Sequence, residues 1–257
     1  MSLRLTDVNY RIEKKQLLSD INITLRPSEI NGFIGPNGAG KTTLMRVASG
    51  SLNTPGVTLN SVPMTALPIE YRACKLACLN QSSELDFPFK CFEVLRLGRI
   101  PHLTSRSHNE RIVEDVIDRL GLHSLRNRVY TTMSGGEKQR VQIGRILCQI
   151  WDNLDSAFVF FDEPTAELDL AHQLVFFDLM KMLAAKGASV SLVLHDINLA
   201  SRFADELVLL RSGRILAMGS PSEVVTKQNM MQAFSVDSEV YRLDARPLIQ
   251  ANIVIPD

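Results

Sequence analysis

The sequence predicts an α/β fold: a mixed, largely parallel sheet core with an antiparallel β region at its start and an inserted α-helical subdomain. Three stretches carry that prediction. The apolar run at 30–34 feeds a glycine-rich turn and then helix-forming residues at 44–48. The run Phe158-Val159-Phe160-Phe161 ends on Asp162 and Glu163. Residues from about 82 to 150 carry apolar side chains at helical spacing with charges between them. A nearly continuous apolar strand that ends in carboxylates reads as a parallel strand covered on both faces, with a site at its carboxyl end.

Taken in order, Leu3, Leu5 and Val8 open a strand that Tyr10 closes. Ile21, Ile23 and Leu25 then alternate with Asn22, Thr24 and Arg26, the period of a strand wet on one face. Pro27-Ser28-Glu29 turns the chain into the strand at 30–34, and short strands follow at 57–60 and 75–80, the latter ending at Gln81. In the insert, Ile112, Val113, Val116, Ile117 and Leu120 share one helical face. Residues 121–130 read as a linker. Ser134 is a good N-cap for a helix reaching about residue 150, and Gly135 and Gly136 free the first backbone N–H groups, which makes a second anion site. Beyond 158–163 come a helix at 171–183, a strand at 190–194 ending at His195, and a helix at 198–204. A hairpin of 207–210 and 214–218 and a small appendage after Pro221 complete the chain, which divides into 1–81 with 151–257 as core and 82–150 as helical subdomain.

At 257 residues the chain can bury a large core, and 45% apolar with 22% charged residues is ordinary for a globular protein. Its 28 basic and 28 acidic residues cancel, so it lacks the basic field that supplies non-specific nucleic-acid affinity, and no nucleic-acid partner is expected. No stretch approaches the roughly 18 to 20 apolar residues that cross a bilayer. The first seven residues lack the apolar centre of a signal peptide, so a cytosolic place is expected. Cys74, Cys78, Cys91 and Cys148 form no C-x-x-C pair and read as small core residues rather than disulfides or metal ligands.

The chemistry starts at Gly35-Pro36-Asn37-Gly38-Ala39-Gly40-Lys41-Thr42-Thr43, which satisfies G-x-x-x-x-G-K-[ST] with a strand before it and a helix after. Gly38 and Gly40 let the backbone curl until successive N–H groups converge on phosphate oxygens, at the positive end of the following helix. Lys41 neutralises β- and γ-phosphate charge, the Thr42 hydroxyl ligates Mg²⁺, and Thr43 adds a hydrogen bond to the inner phosphate. Asp162 is expected to hold Mg²⁺, and Glu163 to orient and polarise the water that attacks the γ-phosphate. His195 is expected to contact the γ-phosphate, Gln81 to reach the metal or the attacking water, and Tyr10 to stack on the base.

Together these motifs resemble the ATP-binding subunit of ABC transporters. Residues 35–43 look like its Walker A, Gln81 its Q-loop, Met133-Ser134-Gly135-Gly136-Glu137 its signature, 158–163 its Walker B, Ala166-Glu167-Leu168-Asp169 its D-loop, and His195 its switch histidine. The resemblance implies the P-loop ABC-ATPase fold, ATP with Mg²⁺, and a homodimer in which Ser134, Gly135, Gly136 and the D-loop Asp169 of one copy act on ATP held by the other. Glu137 stands where Gln is usual, Met133 where Leu is usual, and Ala166-Glu167 where Ser-Ala is common, so Ala166 and Glu167 carry no assigned role.

The stretch 81–89, with Glu93-Val94, Leu97-Gly98-Arg99 and residues 147–151, is further similar to haem-import ATPases, of the group that also serves ferric siderophores and cobalamin. That likeness implies a permease dimer contacting residues 82–100, with Phe87 and Phe89 as interface candidates, and a periplasmic substrate-binding protein in the complex. It also implies a peripheral place on the cytoplasmic face of the bacterial inner membrane. A soluble ABC-type ATPase acting on DNA ends or ribosomes is disfavoured, because the chain carries neither a long coiled coil nor a second cassette.

Overall fold

A computed structural model describes residues 1–80 and 85–252 of the chain. β1 (Leu3–Ile12) and β2 (Lys15–Leu25) form an antiparallel hairpin with one dry face, on which Leu3, Leu5, Val8, Leu18, Ile21 and Leu25 are buried. The register slips between Leu5 and Val8, where Asp7 takes φ 49°; this bulge re-phases the strand and keeps Val8 inside. β3 (Ile30–Ile34) is buried at every residue and leads through the glycine turn into α1 (Lys41–Ala48). β4 (Val57–Leu59) and β5 (Val62–Pro63) extend the hairpin into a four-stranded sheet of order β2-β1-β4-β5.

α2 (Ile69–Lys75) runs into β6 (Leu76–Leu79). The helices α3 (Cys91–Leu97), α4 (Arg106–Leu120) and α5 (Gly135–Ile150) follow, with single 3₁₀ turns in the 121–132 connection. After them come β7 (Phe158–Asp162), α6 (Leu170–Ala185), β8 (Ser189–Val193), α7 (Ile197–Phe203), β9 (Glu206–Arg211) and β10 (Arg214–Gly219). The main sheet has the order β10-β9-β3-β8-β7-β6; β10 is antiparallel to β9, and the other neighbours are parallel. This order brings the carboxyl ends of β3, β8 and β7 side by side. The phosphate loop, His195 and the Asp162-Glu163 pair therefore issue from one edge of one sheet, as ligand sites of parallel sheets do.

Each central strand feeds two apolar layers. Val159 and Phe161 join the layer under α3 to α7, whereas Phe158 and Phe160 join the layer shared with α1 and the antiparallel sheet. Cys91 and Cys148 are buried in the first layer, and burial pushes their thiols up to about 11 and about 12, so they behave as small apolar groups. The chain ends in α8 (Pro221–Val224), α9 (Lys227–Phe234) and a hairpin of β11 (Ser238–Leu243) with β12 (Arg246–Ala251). The hairpin is strapped to α7: Asn198 Nδ2 donates to Ile249 O at 3.1 Å, and Ile249 N returns a bond to Asn198 Oδ1 at 2.7 Å.

Gly98 sits where α3 meets α5. A Cβ there would overlap the Arg145 carbonyl oxygen and lie 3.0 Å from Cys148 Cβ. Backbone cannot yield as a flexible side chain can, so Gly98→Ala is expected to cost about 2 kcal/mol, an overpacking penalty, and to lower the thermal midpoint by about 5 °C. An unchanged midpoint in a thermal melt would show that these helices separate freely.

Candidate functional site

The phosphate loop is a rigid cradle because its neighbours hold it on two sides. Gly35 leaves β3 with φ 145°, and a Cβ there would overlap the Leu210 carbonyl oxygen, so no other residue fits. Gly40 caps α1 at φ 104°. Gly213 N, in the β9–β10 turn, donates to Ala39 O at 2.9 Å, and Ser19 N donates to Gly213 O at 2.8 Å, which stitches loop, turn and β1–β2 hairpin together. The cavity over the loop holds about 750 Å³. Its walls are loop residues 37–43, residues 15–17 of the hairpin, Ser212-Gly213, Glu163 and His195.

Lys41 is buried, and its Nζ donates to the carbonyl oxygens of Gly35 at 2.8 Å and Pro36 at 3.0 Å. Burial lowers its pKa, and the nearby Glu163 and Asp162 oppose that only in part. Asp162 is 1% exposed, and neither of its carboxylate oxygens has a protein hydrogen-bond donor in good geometry among the described residues. Burial raises its pKa; the facing Thr42 hydroxyl and the Lys41 ammonium pull the other way. Two hard, buried oxygens without a well-aligned donor, beside the Thr42 hydroxyl, are the donor set that suits Mg²⁺, which prefers few protein ligands and keeps its remaining positions for water and phosphate. Asp162 and Thr42 would hold it; Gln81 lies outside the described residues.

Glu163 follows β7 with φ 52°, an uncommon backbone for a side chain of this size. That left-handed step breaks the strand's alternation: Glu163 lines the phosphate-loop cavity, while Asp162 stays buried beside Thr42 and Lys41. The Glu163 amide donates to Val193 O at 3.2 Å, and its Oε1 lies 2.5 Å from Nε2 of the half-exposed His195. An ionised carboxylate only accepts, so the imidazole is the donor of this pair.

The signature residues lie elsewhere in the chain. Ser134 caps α5 in a reciprocal box: its Oγ accepts from Glu137 N at 3.3 Å, and Glu137 Oε2 accepts from Ser134 N at 2.8 Å. Glu137 also pairs with Arg128 at 2.9 Å, so the acid in place of the usual Gln strengthens the cap; the Ser134 amide is the main cause holding its carboxyl below the usual range. Ser134 and Gly136 line a separate cleft of about 240 Å³ with Glu167 and Asp169, and none of them lines the phosphate-loop cavity. Asp169 N-caps α6, its Oδ1 accepting from His172 N at 2.8 Å.

Tyr10 does not line this cavity; it is half-buried against the apolar layer of the antiparallel sheet. Sequence reasoning also missed Lys15 to Leu17 and Ser212-Gly213 as walls, because a polar turn and a hairpin turn carry no motif. Gln139, which ties α5 to the exit of β7 by donating to Pro164 O at 3.0 Å, gave no signal either.

Comparison with known proteins agrees with this arrangement. Residues 18–166 match the family model described as ABC transporter. The Hemin import ATP-binding protein HmuV of Gloeobacter violaceus is 37% identical over 99% of this chain and 94% of its own. The protein of that name from Pseudomonas aeruginosa is 38% identical over 97% of this chain and 99% of its own. Among solved structures, an inward-facing putative metal-chelate type ABC transporter superposes with a TM-score of 0.79 at 20% identity, over 98% of this chain and 97% of that one. A dimeric bacterial ABC transporter cassette superposes with a TM-score of 0.75 at 23% identity, over 85% of this chain and 98% of that one. At these identities the structures speak for the fold alone, whereas the family model and the near-full-length relatives settle descent: the chain belongs to the ABC transporter family, as one of its ATP-binding subunits.

Proposed function

We propose that this chain hydrolyses ATP to drive haem import through a membrane permease, working as a pair of identical copies at the cytoplasmic face of the inner membrane. The supporting observation is the near-full-length likeness to hemin import ATP-binding proteins in a chain whose phosphate loop, Glu163 and His195 share one cavity, with the buried Asp162 facing Thr42 and Lys41. A periplasmic haem-binding protein completes the proposed complex.

In this reading the loop N–H groups and Lys41 hold the triphosphate, with Ser134, Gly135 and Gly136 of a second copy closing over the γ-phosphate. The separation of signature and phosphate loop within one chain favours that division of labour. Glu163 accepts a hydrogen bond from the attacking water and takes its proton as the new P–O bond forms and the bond to ADP breaks. His195 fixes the Glu163 carboxylate and faces the γ-phosphate. Mg²⁺ bound by Thr42 and Asp162 would neutralise charge on the β- and γ-oxygens.

The permease contact is placed around residues 82–100. Phe87 is 68% exposed, and Ile100 and Leu103 are exposed as well, whereas Phe89 packs against the core of the helical part. An exposed aromatic is a docking anchor of the kind that carries interface energy. Phe87→Glu is expected to weaken permease association about tenfold or more while leaving ATP affinity of the isolated chain unchanged, as read by copurification and nucleotide titration.

Reconstitution with the permease and binding protein in proteoliposomes tests the whole reading. ATP-dependent haem uptake is the expected result. Cobalamin uptake without haem uptake would overturn the substrate, and turnover indifferent to the permease would overturn transport itself.

A further inference from the structure

The D-loop residue Glu167, which the family resemblance left without a role, faces the signature motif of its own chain. The loop that carries it is pinned on both sides. Gln139 on α5 holds Pro164 O at 3.0 Å, Gln173 on α6 donates to the carbonyl oxygens of Thr165 at 3.3 Å and Leu168 at 3.0 Å, and Leu168 itself is buried. This frame brings the Glu167 backbone up to α5: a Cβ on Gly136 would lie 3.0 Å from the Glu167 carbonyl oxygen. It also lays the carboxylate on Gly135, where a Cβ would overlap Glu167 Oε2 and lie 3.0 Å from Cδ.

Gly135 is the first residue of a 16-residue helix, so the carboxylate rests at a positive helix end. Among the described residues no hydrogen bond or ion pair fixes it, and the side chain is exposed, so it can move. Glu137, Arg140, Asp169 and His172 line the same cleft, and Asp169 is engaged with His172 at 2.7 Å and Glu137 with Arg128 at 2.9 Å.

We propose that Glu167 is an internal stopper of the signature: in a single copy its carboxylate covers Gly135, the spot where a partner's ATP has to present its γ-phosphate, and it must withdraw before two copies close. The proposal rests on the ATP-bridged pair described above and adds a threshold to it. Carboxylate and phosphate carry like charge and cannot share one helix end, so pairing needs more ATP than the phosphate loop alone demands. Subunits away from the permease are thereby kept from pairing and turning over ATP to no effect.

The test follows pairing by light scattering across ATP concentrations in the Glu163→Gln background, where hydrolysis does not dissolve the pair. Adding Glu167→Gln is expected to lower the ATP concentration for half-pairing about tenfold, with a gap that narrows as salt is raised. Glu167→Asp keeps the charge but is one methylene shorter, and its threshold is expected to fall between the two. An unchanged or raised threshold for Glu167→Gln, with Glu163→Gln pairing normally, overturns the stopper and leaves the ATP-bridged pair standing. Equal thresholds for Asp and Glu would assign the effect to net charge and overturn the contact. No ATP-dependent pairing in any background would overturn the pair and the stopper together.

Discussion

Glu163→Gln is expected to lower ATP turnover about 10²- to 10⁴-fold, the range of a positioned general base, while ATP affinity stays within about threefold. The substitution replaces one carboxylate oxygen by an amide and keeps shape, length and backbone demand. Gln accepts the left-handed φ of 52° as well as Glu does, so the turn after β7 stays as it is. What disappears is the basic oxygen that takes the proton of the attacking water and the charge that holds His195 at 2.5 Å. Lys41 and the loop amides, which carry phosphate binding, are untouched. Phosphate release and equilibrium nucleotide binding measure the two halves separately, and size analysis in ATP is expected to find long-lived pairs. Turnover like that of the parent would remove Glu163 from its assigned role.

Much of this site is legible in the sequence, because its residues are bound to sequence order. The glycine pattern of 35–43 needs the strand before it and the helix after it, and both are where the pattern puts them. The run at 158–162 is apolar because β7 is buried on both faces, and Ser134, read as an N-cap, does start α5. What stayed hidden lacks such a signal. α2 has no buried residue and therefore no apolar period, and β2 opens on the polar, exposed Lys15 and Gln16, so the strand begins ten positions from its apolar end. The placing of Tyr10 turns on register shifts in β1, between Leu5 and Val8 and again on both sides of Tyr10, and alternation alone gives no warning of such slips. Glu167 was silent for another reason. Its meaning depends on Gly135, thirty-two positions away, and only the fold brings those two together.

Lys41→Met separates what the site costs the fold from what it does for the ligand. For the ligand the loss is large: a buried, hydrogen-bonded cation facing phosphate is worth about 2 to 5 kcal/mol when its partner is truncated, so ATP affinity is expected to fall about 10²- to 10³-fold. For the fold the sign is the reverse. Burial lowers the Lys41 pKa despite Glu163 and Asp162 nearby, which means the native state disfavours the ammonium more than the unfolded chain does. Below the lowered native pKa the residue is charged in both states, and that penalty counts in full against the native state. It fades as pH rises through the lowered native pKa towards the unfolded value of 10.5. Methionine fills similar space without charge; it forfeits the attraction to Glu163 and Asp162, which the relieved burial penalty outweighs, and the bonds to the Gly35 and Pro36 carbonyl oxygens, which the loop's stitching to Gly213 backs up. The nucleotide-free variant is therefore expected to melt at or slightly above the parent temperature at pH 7, with the difference shrinking towards pH 10. Thermal melts across that range, beside nucleotide titrations at pH 7, check both halves. A variant that loses stability as steeply as affinity would mean that Lys41 serves the loop's architecture first and the phosphate second.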